Sequence, residues 1–214
     1  MKHKIEKNTV QETLILPLYS RKLCTELYPN LYQDETAVRL IDEIDYDFSE
    51  AEKNSRSLMQ RFGALEVAMR QNDLAWEVRD YLKTHPSAAV VFASGVFYYF
   101  LTQQVKALVR GMADAFPGGV LVFDAANRTA VKMIAKTWLR TAKIKDVGAY
   151  FAVSDAKSEL SPWDSRLQVS SRGYMLGYTD LKDPSVNGFF RFLARVGDGM
   201  MKMQIVKIGF GGKL

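Results

Sequence analysis

The feature that most constrains this chain is the stretch from residue 87 to 124, where an apolar run, an amphipathic helix and a second apolar run follow one another directly. Ser87 to Phe100 is apolar, β-branched and aromatic, the pattern of a strand buried on both faces. Thr102 is suited to cap a helix start. Leu101, Val105, Leu108, Val109, Met112 and Phe116 then recur at helical spacing, with Gln103, Gln104, Lys106, Arg110 and Asp114 on the other side. Pro117-Gly118-Gly119 stops the helix, and Val120 to Phe123 reads as a second buried strand ending at Asp124. A βαβ unit of this kind predicts an α/β fold with a parallel sheet and a right-handed crossover. Ligands of open parallel sheets bind beyond the carboxyl ends of the strands. Here those ends carry Ser94 to Tyr99 and Asp124 to Asn127.

The first apolar run is far longer than a usual strand of about five or six residues. It also contains the break Ser94-Gly95. Either one strand bends there, or segments of two different strands have been joined.

Composition narrows the class. A chain of 214 residues with 48% hydrophobic and 25% charged residues is long enough for one globular domain with a sizeable core. A net charge of +5 permits an anionic partner without indicating one. The single cysteine, Cys24, rules out an internal disulfide and makes a reducing cytoplasm the expected compartment. With His3 and His85 as the only histidines, no zinc site of the usual kind is expected, and no metal is assigned. No apolar run is long enough for a membrane span, and the polar start MKHKIEKNTVQE lacks the apolar segment of a signal peptide.

The first third reads as helical. Residues 1 to 10 are expected to fray. Leu14 to Pro17 is a short apolar segment, and Leu18 to Leu27 a helix. Asp34 is the expected N-cap of a helix carrying Ala37, Leu40, Ile41 and Ile44, and Asp45 to Ser49 a turn. Leu58, Phe62, Leu65 and Met69, continued by Leu74, Val78 and Leu82, mark a further helix that ends at His85-Pro86. After Asp124, a helix is expected from Arg128 to Lys143, a short strand from Gly148 to Val153, and a helical turn at Ser161-Pro162-Trp163. Alternation follows over Leu167 to Tyr178, then helical spacing over Val186 to Met201, and a last strand from Gln204 to Phe210. This divides the chain into a helical region, residues 1–86, and an α/β core, residues 87–214, within one domain.

Each chemically suggestive feature has a plain structural counterpart. The stripe Arg128, Lys132, Lys136, Arg140 and Lys143 could meet phosphate backbones, but it equally describes a solvated helix face. No aromatic residues interleave with it, which argues against single-strand stacking and leaves nucleic acid a lesser reading. Gly209-Phe210-Gly211-Gly212-Lys213 lacks the helix a phosphate loop needs. Phe97, Tyr98 and Tyr99 could line a pocket or pack a core. Asp124 could orient a polar ligand or cap the next helix. Arg70 could grip a carboxylate in a fork or form a surface ion pair. No serine, histidine and acid set is arguable, so no catalytic residue is assigned.

Three segments, in order, resemble the leucine carboxyl methyltransferase family, including its bacterial polyketide-type O-methyltransferases. The first is Glu12-Thr13-Leu14-Ile15-Leu16-Pro17-Leu18-Tyr19-Ser20-Arg21 with Leu27-Tyr28-Pro29 and Asp34-Glu35-Thr36-Ala37. The second is Arg70 with Val78-Arg79-Asp80-Tyr81-Leu82 and His85-Pro86. The third is Ser94-Gly95-Val96-Phe97-Tyr98-Tyr99-Phe100, then Phe116-Pro117-Gly118-Gly119 and Val122-Phe123-Asp124. The resemblance covers residues 11 to 125 well and the remainder loosely. It implies a Rossmann-like class I methyltransferase sheet flanked by helices, with a helical N-terminal lid. It also implies S-adenosylmethionine as methyl donor and a small-molecule carboxylate or hydroxyl as acceptor. By this likeness Arg70 holds the donor's methionine carboxylate, and Ser94 and Gly95 lie beside it, with Ser94 where the family has an acidic residue. Thr13 belongs to the cofactor side of the lid. Tyr19 and Arg21, with Tyr98 and Tyr99, face the substrate.

One departure is large. In the family, the strand matching Ala88 to Val91 runs into a glycine-rich loop around the cofactor, and further strands hold its ribose and adenine. Here Val91 is followed at once by Phe92-Ala93-Ser94-Gly95. Parallel neighbours need a crossover of about a dozen residues or more, so the expected sheet is incomplete, with an apolar edge open to self-association. The chain as it stands would then bind the donor weakly or not at all, unless a segment is missing from this sequence. Three functional readings result: an O-methyltransferase of reduced competence, a non-catalytic methyltransferase-like interaction protein, and a basic nucleic-acid-binding domain.

Overall fold

A computed structural model of the chain describes residues 2–6, 10–91, 94–134, 136 and 148–211. Within the first ten residues a short strand, β1 (His3–Lys4), pairs in parallel with β2 (Ile44–Asp45), so this part of the expected frayed end carries a small ladder. Helix α1 (Val10–Leu27) runs unbroken through Pro17. The expected division at Leu18 is absent. Proline removes one backbone donor, but Ile15, Tyr19, Leu23 and Cys24 are buried along the helix and hold it in place.

Asp34 caps α2 (Glu35–Glu43) as expected, its Oδ1 accepting from the Ala37 amide at 2.8 Å. After α3 (Ser49–Asn54), Ser57 caps α4 (Leu58–Thr84), which continues without a break past Asn72 and stops at His85, before Pro86. Helix α4 buries Ala64, Leu65, Val67, Ala68, Met69 and Leu74, nearly all round its axis, because α1 lies against one side and the sheet against another.

The expected first buried strand does not form. Residues 87–91 have no regular structure and are largely exposed, with Val91 at 95%. A β-branched run becomes a strand only beside a partner that takes up its backbone groups. No such neighbour lies beside 87–91 among the described residues, so its backbone faces solvent. The aromatic end of the run forms a 3-10 turn, Phe97–Tyr99, with Phe97 and Tyr98 buried. Helix α5 (Thr102–Ala115) follows. Leu101, not Thr102, takes its cap position, and the Gln104 side chain accepts from the Leu101 amide at 2.8 Å. The stop at Pro117-Gly118-Gly119 forms as expected, with Gly118 at φ +81 and its amide donating to the Phe210 carbonyl.

Strand β3 (Val120–Ala125) leads to α6 (Arg128–Ile134), which Asn127 caps through the Ala130 amide. The remainder of the helix expected to reach Lys143 lies outside the described residues, apart from Lys136. No strand forms over 148–153. That segment is instead tied by single bonds, from the Tyr150 amide to the Tyr98 carbonyl and from the Val153 amide to the Ala126 carbonyl. Then come α7 (Ala156–Leu160), a 3-10 turn at Ser161–Trp163, β4 (Leu167–Gly173), α8 (Gly188–Gly199) and β5 (Gln204–Phe210).

The larger sheet has the order β3-β5-β4. Both pairings are antiparallel, from Val120 opposite Gly209 to Ala125 opposite Gln204, and from Leu167 opposite Phe210 to Gly173 opposite Gln204. The parallel βαβ unit expected over 87–124 is thus replaced by α5 joining an exposed segment to an edge strand. β5 is the central strand and is buried almost throughout, which is why its residues do not alternate in exposure. The fold is mixed α/β with small sheets. One core joins Tyr28, Leu65 and Met69 of the helical region to Tyr98, Ala126, Tyr174, Phe190 and Ile205, so both regions share packing. A second joins α5 to the sheet through Val105, Val109, Phe123, Val206 and Ile208.

Candidate functional site

Along α4, Glu66, Arg70, Asp73 and Glu77 recur at steps of four, three and four, which places them on one face of the helix. That face is turned into the protein. Asp73 is 0% exposed and Glu77 is buried, and the Arg70 side chain is 17% exposed. Burying charge costs free energy unless each group finds a partner. Three of the four do.

Arg70 reaches the carboxyl end of β3, its Nη1 donating to Asp124 Oδ2 at 3.4 Å. Asp124, 2% exposed, accepts the Gly95 amide on its other oxygen at 2.7 Å. It is therefore not the cap of α6, a role Asn127 takes. Gly95 lies at φ +70, and a Cβ there would stand 3.3 Å from the Arg70 guanidinium. Glycine both permits the turn and lets the arginine lie against it. Burial works against the arginine's charge, but Asp124, with Tyr174, Tyr98 and Glu66, outweighs it and holds the Arg70 pKa up. Burial, then Asp124, raises the Tyr98 phenol well above its ordinary range. Tyr99 is raised by burial too.

Glu66 accepts the Tyr174 hydroxyl at 3.0 Å, and burial pushes its carboxyl up. Glu77 accepts the Tyr178 hydroxyl at 2.7 Å and pairs with Lys207 at 3.1 Å. Asp73 is the exception. Both its oxygens are buried without a well-formed hydrogen bond among the described residues, with the Asn72 side chain as a weak donor, and Nε of Arg70 is likewise without a partner there. Burial first, then the charge of Asp198, pushes the Asp73 carboxyl up to about 8, against the pull of Arg172.

The sequence-derived residues therefore divide. Arg70, Gly95, Tyr98 and Asp124 come together, with Tyr99 at the margin. Ser94 adjoins them, half-buried, and forms no hydrogen bond among the described residues. Tyr19 and Arg21 lie in a different cluster. Tyr19 stacks on Phe48 and packs with Leu23, Ile41 and Ala64, and Arg21 binds Asp34 through Nε at 2.8 Å and Nη2 at 2.5 Å. The Thr13 side chain lies outside the described residues. In the basic stripe Arg128, Lys132 and Lys136 are exposed, while Arg140 and Lys143 lie outside the described residues.

Glu66, Asp73 and Glu77 were not singled out from the sequence, although their helical spacing from Arg70 on an apolar-rich helix was a usable signal. A groove of about 530 Å³ runs along β4, lined among others by Ser170, Arg172 and Asp198, and a second of about 380 Å³ lies beside it. Neither is lined by Arg70, Ser94, Gly95, Tyr98, Tyr99 or Asp124. Among the described residues no group of three or more metal-ligating side chains occurs, and no helix is long and apolar enough to cross a membrane. No family model, curated protein or solved structure matches this chain.

Proposed function

We propose that the chain is an O-methyltransferase by descent, and that the corner formed by Arg70, Gly95 and Asp124 binds the carboxylate of S-adenosylmethionine. The observation that carries this reading is the convergence of Arg70 and the Ser94-Gly95 turn on Asp124, with guanidinium capacity left over. Arg70 Nε has no partner and its bond to Asp124 is long. A ligand carboxylate offers two acceptor oxygens to a planar fork of donors, which lysine could not match. The acceptor in this reading is a small-molecule carboxylate or hydroxyl.

The nucleoside end of the donor fits less well. Neither of the two grooves along β4 reaches this corner, and the segment that would follow Val91 in the resembled family has no counterpart. We therefore derive no methyl-transfer step, and the reading extends only to recognition of the amino-acid end.

Calorimetric titration with S-adenosylmethionine and its demethylated product tests it, on protein whose intact mass is 24.2 kDa. Saturable binding that Arg70→Ala weakens at least about tenfold, and that Lys136→Ala leaves unchanged, is the expected result. Equal effects of both substitutions, or no binding by a folded chain, would overturn it.

The exposed apolar row formed by Phe100, Leu101, Leu108 and Phe116 favours a second reading. In it the chain is a non-catalytic, methyltransferase-like protein that associates through this surface. Mass that rises with concentration, without donor binding, distinguishes the two.

A further inference from the structure

The groove along β4 lies apart from the Arg70 corner. Its volume of about 530 Å³ is that of a small-molecule site, yet its walls are polar. Ser154 and Ser171 bring hydroxyls and Lys157 and Lys202 positive charge, while Ser170 and Arg172 line it from the opposite face of the β4 edge. The two carboxylates in the lining are already engaged by backbone amides. Asp155 Oδ1 accepts from Ser158 at 2.8 Å as the cap of α7, and Asp198 accepts from Met175 at 3.2 Å and Leu176 at 2.8 Å.

The cations are less closely held, the charge of Lys202 acting on Asp155 and that of Arg172 on Asp73. Neither Lys157 nor Lys202 has a carboxylate within 4 Å among the described residues. The Arg172 guanidinium stacks over the rings of Tyr178 at 4.7 Å and Trp76 at 5.4 Å, which leaves its N–H edge without a hydrogen bond among the described residues. Lys202 is also held at φ +52, a left-handed conformation that is unfavourable for a non-glycine residue. Glycine would remove that cost, but it would also remove the ammonium from the groove.

We propose that this groove binds a small polyanion through a phosphate or pyrophosphate group. Lys157 and Lys202 would meet its charge from the α7 and α8 sides, and the Ser154 and Ser171 hydroxyls would donate to the remaining oxygens. The size of the groove leaves room for an organic group on the phosphate.

The test is calorimetry with inorganic pyrophosphate and with ATP at about 50 mM salt, where surface charge is moderately screened. Saturable binding of both is expected. Lys157→Ala with Lys202→Gly should weaken it at least about tenfold. Lys202→Gly relieves the left-handed residue, so its melting temperature should not fall, and lost binding then cannot be lost folding. Lys132→Ala with Lys136→Ala, in the other basic stripe, should leave binding within about twofold. No saturable binding, equal weakening by the two pairs, or ATP binding that pyrophosphate does not displace would each overturn the proposal. Arg70→Ala should have no effect here, so this site and the methyl-donor corner fail or stand separately.

Discussion

At position 73 a carboxyl group is enclosed with only the Asn72 side chain as a donor nearby and no well-formed hydrogen bond among the described residues, which makes it the least compensated charge site on α4. The groups facing it are Asn72 on its own helix, Asp198 from α8 and Arg172 from β4. Burial and Asp198 both oppose ionisation, and Arg172 and the Asn72 side chain only partly offset them. The folded chain therefore holds this proton up to about pH 8, whereas the unfolded chain releases it near 3.8. Because the folded-state value is the higher one, folding is favoured most below pH 3.8. The contribution is lost progressively as the pH rises towards 8 and is then constant. Asp73→Asn keeps the shape and removes the titration. Its unfolding free energy should exceed that of the parent by a margin that widens from pH 5 to pH 8.5, reaching on the order of a few kcal/mol. A margin that is flat with pH, or a variant less stable at pH 8.5, would show that Asp73 has a partner as an ion. Cys24 illustrates the opposite outcome of burial. Its thiol, 0% exposed and pushed up to about 12, is inert packing at neutral pH.

Among the elements, the junction of α1 and α2 depends on one side chain. Asp34 caps α2 through Ala37, accepts Tyr32 at 3.0 Å, and receives the Arg21 fork from α1. Its carboxyl is held below the usual range, burial opposing this and the Ala37 amide and Arg21 outweighing it. Asp34→Ala removes a cap and leaves a half-buried arginine unpaired, so it should cost about 2–4 kcal/mol in chemical denaturation. A loss no larger than that of an ordinary cap would mean Arg21 finds another acceptor. At the other junction, Gly95→Ala puts a Cβ against Arg70 at a residue with φ +70, so it should weaken donor binding as Arg70→Ala does. The local features of both junctions were legible in the sequence. The Asp34 cap, the His85-Pro86 stop and the Pro117-Gly118-Gly119 turn each depend on neighbours within a few residues. Arg70, Gly95, Tyr98 and Asp124 were legible as candidates, but not their meeting, which rests on contacts across 29 and 54 positions. The run from Ser87 was misread for a physical reason: apolar β-branched residues signal a strand only where a neighbour completes the ladder. The antiparallel placement of β5 between β3 and β4 left no mark in the local pattern.

In the whole molecule, the missing neighbour of residues 87–91 has consequences beyond that segment. The apolar stripe of α5 is only half covered. Val105, Val109 and Ala113 pack on the sheet, but Leu108 is 45% and Phe116 59% exposed, and Phe100 and Leu101 continue the row. β3 is an edge strand of the same sheet, of sequence Val-Leu-Val-Phe-Asp-Ala. It has no proline or lysine to discourage pairing with another strand. Apolar surface of this kind, beside a strand whose outer edge pairs with no other strand among the described residues, drives association that strengthens with protein concentration and with temperature near ambient. Sedimentation velocity should therefore show mass rising with concentration. Leu108→Lys with Phe116→Lys should return the protein to a single 24.2 kDa species. These residues are exposed, so the change in folding stability should stay within about 0.5 kcal/mol, and the far-ultraviolet spectrum should be preserved. If the parent chain is monomeric at every concentration, the apolar row is closed by the chain itself. The interaction reading then loses its support, while donor recognition at Arg70, which does not depend on a second copy, is left to be decided by its own titration.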